Sequence, residues 1–171
     1  LYFQGLLDPQ GRLSPPQNLE ELFRPPYGAG VRIHVNAWGS KGNYYSPYAR
    51  QVDSFMWEHP DFLVVFGAGN HGPATGTLTP EANSKNALVV GASQSVRPGY
   101  SPEAVDARRW AELSSRGPAG DGRLKPDILA PGTGLVGPCS RLVAGNFPPN
   151  PGYRVMGGTS QAAAVAGGSA A

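Results

Sequence analysis

Apolar and polar positions along the chain sort into short, recognisable blocks. Val31, Ile33 and Val35 alternate with polar neighbours, which predicts a strand over Val31–Ala37 with one covered face. Tyr48, Val52, Phe55 and Met56 fall at i, i+4, i+7 and i+8, a single stripe along a helix. Ser46-Pro47 starts that helix with a capping hydroxyl and a proline at the first helical position, and His59-Pro60 ends it, with His59 at the cap. Phe62–Phe66 and Leu88–Ala92 are continuous apolar runs, the pattern of strands covered on both faces. A shorter run lies within Lys125–Gly132 and closes on a Pro-Gly turn. Strand, helix, strand and strand at this spacing predict a parallel α/β sheet.

The intervening segments read as connections. Asn18–Phe23 forms a short helix capped by Asn18, bounded by Ser14-Pro15-Pro16 and by Pro25-Pro26 as breakers. Residues 95–112 form a surface excursion, Ser114–Pro118 a turn-rich loop, and 134–152 a long loop. Leu1-Tyr2-Phe3-Gln4-Gly5 looks like the remnant of a protease-cleavable expression tag and is expected to add no element to the fold.

Composition narrows the function classes. The length of 171 residues suits one domain, with no internal repeat. A net charge of +2 implies neither a nucleic-acid nor an acidic-membrane partner. No apolar run approaches the ~20 residues that span a bilayer. Cys139 is the sole cysteine, so no internal disulfide forms.

Candidate chemistry concentrates at Gly157–Gly167. A glycine pair hands the chain to Thr159-Ser160, and small helix formers follow. Ser160 would sit at the positive end of a helix dipole, beside amide protons with no intrahelical partner. That suits either a helix cap or a nucleophile whose attack creates an oxyanion.

Four blocks decide between these two roles: Phe66-Gly67-Ala68-Gly69-Asn70, Ser114-Ser115-Arg116-Gly117-Pro118, Lys125-Pro126-Asp127 through Ala130-Pro131-Gly132, and Gly158-Thr159-Ser160. In this order they resemble the subtilisin-like serine proteases over residues ~15–171. Asn36-Ala37-Trp38-Gly39 and Asp121-Gly122-Arg123 look most like the oxidatively stable alkaline branch. The resemblance implies a three-layer, parallel-sheet subtilisin-like fold, with residues 6–171 as the C-terminal part of a peptidase domain. It implies Ser160 as the acylated nucleophile and Asn70 as the side-chain donor of the oxyanion hole. Ala37, Trp38 and Gly39 would pair with the substrate backbone and wall the specificity pocket. Gly67, Ala68 and Gly69 would form the facing wall.

The resemblance also shows what this stretch does not carry. The family's Asp-Thr-Gly turn and His-Gly-Thr-His helix start do not occur. Of the three histidines, His34 reads as a hydrogen-bonded structural residue in a strand, His59 as a cap, and His71 as a loop residue on the oxyanion side. The aspartate strand and the histidine helix therefore belong upstream of Leu6. The family's usual Ser-Met-Ala-Ala/Thr-Pro-x-Val-Ala-Gly appears as Ser160-Gln161-Ala162-Ala163-Ala164-Val165-Ala166-Gly167, and Ala37 stands where many relatives carry serine.

The expected activity is thus endopeptidase chemistry on polypeptide substrates, silent until the Asp/His half is supplied. The alternative is a non-catalytic peptide-binding module. An esterase would want Gly-x-Ser-x-Gly, which Ser160 lacks. The fold would expose a sheet edge and pair with the missing half or with a second copy. Structural calcium and secretion are further expectations of the resemblance, with no calcium ligand identifiable from the sequence.

Overall fold

The computed structural model describes residues 1–139 and 150–171. Its centre is a parallel sheet in the order β1 (Ile33–Asn36), β2 (Leu63–Gly67), β3 (Leu88–Ser93), β4 (Ile128–Pro131). Side chains alternate across each strand. In β2 this sends Val64 and Phe66 to one face and Val65 to the other.

On the first face lie helices α1 (Glu20–Gly28) and α2 (Pro47–Glu58). Their Leu22, Phe23, Val52 and Phe55 close with Phe62, Val64 and Phe66 into one buried cluster. Tyr48 and Met56, the ends of the predicted stripe, pack against its margin. On the second face lies α3 (Thr159–Ala170), which sets Ala162, Ala163 and Ala166 against Val65, Val90 and Ala92. Its small residues let it lie close to the sheet: a Cβ on Gly167 would collide with Val35. The expected three layers are therefore present.

α2 starts as the sequence predicts. Ser46 Oγ accepts from Ala49 N at 3.1 Å, and Pro47 takes the first helical position. It ends at His59, whose backbone N and Nδ1 both reach Phe55 O.

α1 departs from expectation, because Pro25-Pro26 does not break it. A proline inside a helix leaves the carbonyl four residues back without a donor. For Pro26 that carbonyl is Leu22 O, and Gln4 Nε2, from the segment read as a tag remnant, donates to it at 3.0 Å, so that segment packs against the domain. Asn18 Oδ1 accepts from Glu20 N at 3.1 Å, but the helix is entered from Leu19 and has no side-chain cap.

The expected 134–152 loop also needs correction. Leu135–Pro138 is a strand, β5, paired antiparallel with β6 (Tyr153–Met156). Only Leu135 and Val136 carry apolar bulk, so Gly137 and Pro138 hid the strand from a pattern reading. The rest of that segment, 140–149, lies outside the described residues. The excursion at 95–112 is irregular but anchored: Ala104 and Ala111 are fully buried, and Trp110 bridges to Ser93.

β1 is the outer strand of the main sheet. Beside it runs a groove of about 640 Å³ walled by Leu22, Val31, Ala164 and the first residues of the chain. Val35, on β1, is 38% exposed there. Among the described residues, no helix is long and apolar enough to cross a membrane.

Candidate active site

Two chain reversals meet at the carboxyl end of the sheet, the end where open α/β sheets keep their ligand sites. One follows β2, through Gly67, Ala68 and Gly69 to Asn70. The other joins β6 to α3 through Gly157 and Gly158. Gly158 has φ 146°, in the region that favours glycine. Its N–H donates to Gly132 O at 2.7 Å.

Thr159 binds the two reversals together. Its N–H donates to Asn70 Oδ1 at 2.9 Å and its hydroxyl donates to the same oxygen at 3.1 Å. That hydroxyl also accepts from Gly69 N at 3.1 Å. Gly67 makes the approach possible, since a Cβ there would lie 3.0 Å from both Thr159 O and Thr159 Oγ1. With Oδ1 occupied twice, the orientation of the Asn70 amide is fixed and Nδ2 remains as its donor.

Ser160 does not cap α3. The cap is Gly158, which makes no side-chain capping bond. Ser160 stands in the first turn, among amide groups with no intrahelical acceptor, and its hydroxyl donates to Ala37 O at 3.3 Å. Ser160 and Asn70 line one cleft of about 400 Å³, together with Ala37, Trp38, Gly39, Gly67 and Gly69.

Of the residues expected to wall this cleft, Ala68 is the one that points away. Its side chain is buried among Leu78, Ala82, Val89 and Ala119. Trp38 serves two purposes. It lines the cleft, and its ring meets Phe66 and Tyr48 edge-on at 5.4 and 5.9 Å. Its Nε1 donates to Asn36 Oδ1 at 3.1 Å.

Thr79 and Thr159 also line the cleft. Thr159 carried a signal, as a branched hydroxyl beside Ser160 in the glycine-rich step. Thr79 carried none, since it sits in a Thr/Pro/Gly stretch without periodicity.

None of the three histidines makes a hydrogen bond to Ser160 Oγ. His34 is held in a line of side chains: Asn36 Nδ2 reaches its Nδ1 at 3.0 Å, and its Nε2 reaches Gln4 Oε1 at 2.9 Å. The Asn36 amide is oriented by Trp38, so His34 Nδ1 accepts and Nε2 carries the proton. Burial pushes the His34 pKa down from 6.5 to about 4. His59 stacks on Phe55. His71 lines the cleft, with its backbone N donating to Ser115 Oγ at 3.0 Å. Among the described residues no three His, Cys, Asp or Glu side chains come together to hold a metal ion.

The family model Peptidase_S8, described as the subtilase family, matches residues 10–171. The Dictyostelium discoideum serine protease/ABC transporter B family protein tagB is 26% identical over 238 aligned residues, covering 96% of this chain and 12% of that protein. Serine protease AprX of Bacillus subtilis is 36% identical over 90 residues, covering 53% of this chain and 19% of AprX. The prenylagaramide maturation protease PagA shares the fold with a TM-score of 0.67 at 22% identity, over 96% of this chain and 50% of that structure. The chain thus spans a small fraction of these curated relatives and half of that solved structure.

Proposed function

Because the chain belongs to the subtilase family of serine proteases, we propose that it carries the nucleophile and oxyanion hole of an endopeptidase, with Ser160 and Asn70 in those roles. Ser160 Oγ attacks the carbonyl carbon of a bound peptide bond. The carbonyl oxygen gains the negative charge and is received by Asn70 Nδ2–H and by the Ser160 backbone N–H. The Oγ proton passes to a base and from it to the leaving amine as the C–N bond breaks and the acyl-enzyme on Ser160 forms; water, giving its proton to the same base, then attacks the acyl carbon and releases the acid.

The single observation that carries this reading is the double hold of Thr159 on Asn70 Oδ1. It keeps a donor oriented beside Ser160 before any substrate arrives. Ala37, Trp38 and Gly39 form the wall along which the substrate backbone lies.

The hydroxyl needs a base, and its partner in this chain is a carbonyl oxygen, Ala37 O. The base and its orienting carboxylate come from polypeptide outside residues 1–171, in keeping with the chain's spanning half of the solved PagA structure. The chain alone therefore turns over peptides slowly.

A fluorophosphonate probe tests the reading. Ser160 should be labelled rapidly once the remaining part of the catalytic domain is joined to this one. Ser160→Ala should abolish labelling. Absence of labelling in the joined protein would leave a peptide-binding module instead.

A further inference from the structure

Thr79 sits where the two glycine walls of the cleft face each other. A Cβ on Gly39 would lie 2.9 Å from Thr79 Cγ2, and a Cβ on Gly69 would lie 2.7 Å from the same atom. One methyl group therefore fills the room that both glycines leave open. Thr79 lines the cleft with Ser160 and Asn70, yet it is only 4% exposed, so it forms the base of the space and not its rim.

The residue is firmly held. Its N–H donates to Ala68 O at 3.1 Å, its carbonyl accepts from Asn83 Nδ2 at 2.9 Å, and its hydroxyl accepts from Ala82 N at 3.3 Å. Two residues on, the carboxylate of Glu81 accepts from Ser40 N at 2.9 Å and from Ser40 Oγ at 2.8 Å. That pair ties the Gly39 wall to the Thr79 loop, so the methyl cannot withdraw without moving the wall.

We propose that Thr79 determines specificity: it closes the pocket between Gly39 and Gly69, so that the residue whose carbonyl reacts must be glycine, alanine or serine. Aromatic and long aliphatic side chains are rejected by contact with Cγ2. The proposal rests on the reading of this cleft as a peptide-cleaving site. A misfit of one methyl group in such a pocket is worth roughly 10–200-fold in discrimination.

The test uses product-like peptides, acetyl-Ala-Ala-Ala-Xaa carboxylates with Xaa alanine or 2-aminobutyrate, which is one methyl larger, titrated calorimetrically into the chain. The alanine peptide should bind at least about 10-fold more tightly. Thr79→Ser removes Cγ2 but keeps the oxygen that accepts from Ala82 N; it should bring the two affinities to within about 3-fold, by strengthening the 2-aminobutyrate peptide. Thr79→Val keeps the branched methyl and should preserve the preference. Equal binding of both peptides to the wild-type chain, or an unchanged ratio in Thr79→Ser, would overturn the role of Thr79 while leaving the cleft reading intact. Binding of neither peptide would overturn the cleft reading, and this role with it.

Discussion

Thr159 grips the side-chain oxygen of Asn70 with both its amide and its hydroxyl, at 2.9 and 3.1 Å. Thr159 is the residue immediately before Ser160, so one residue sets the position of the nucleophile and the aim of the amide opposite it.

Asn70→Ala should lower kcat by about 10²–10³ in the joined catalytic domain, the size of effect known from removing such a donor in a subtilisin. KM should change little, because the lost bond forms in the transition state. Asn70→Asp is the sharper experiment. It keeps an acceptor for Thr159 but presents an oxygen where the negative charge develops. It should cost at least as much activity as the alanine, with thermal stability closer to wild type. Steady-state kinetics and thermal melts read both.

Gly67→Ala should disable the site from below. The added carbon would meet Thr159 backbone O and C at 3.0 and 3.1 Å, atoms that cannot give way without shifting the start of α3. A loss of about 1–3 kcal/mol is expected from such overpacking. Fluorophosphonate labelling of Ser160 in the joined domain should slow in parallel, which a denaturant titration and a labelling time course would show.

Glu81→Ala should loosen the cleft walls. The carboxylate is buried, at 1% exposure, and holds two donors of Ser40. Its removal should destabilise the chain by about 1–3 kcal/mol, measured by urea unfolding. Glu81→Gln retains an acceptor and should lose less.

Acid should weaken the fold through His34. Its folded pKa, about 4, lies below the 6.5 of the free side chain, so folding favours the neutral ring. The contribution is complete above pH 6.5 and is lost as the pH falls towards 4, because the unfolded chain takes up a proton that the folded one refuses. The total is roughly 3 kcal/mol. In urea titrations, wild type minus His34→Gln should show that slope between pH 6.5 and 4 and should be flat above it.

Much of this arrangement could be read in advance, and what could not has physical causes. β2 and β3 are covered on both faces, so their unbroken apolar runs marked them within a residue or two. Ser46 and Pro47 announced α2 because capping is a local interaction. α1 ran past its prolines because its face packs Leu22, Phe23 and Tyr27 against the core, a tertiary gain that no local pattern displays. Ser160 and Asn70 stood out through their glycine-rich surroundings, and both line the cleft. The direction of the Ala68 methyl was not legible: the chain beyond β2 turns it to the core, among Leu78, Ala82, Val89 and Ala119. Thr79 was invisible, since its importance arises from two glycines 40 and 10 residues away.

β1 runs directly into Ala37, and Ala37 O holds the Ser160 hydroxyl. The backbone of that strand is shared between β2 and the open groove on its other side. The outer edge of the sheet and the carbonyl that holds the serine therefore belong to one continuous stretch of extended backbone.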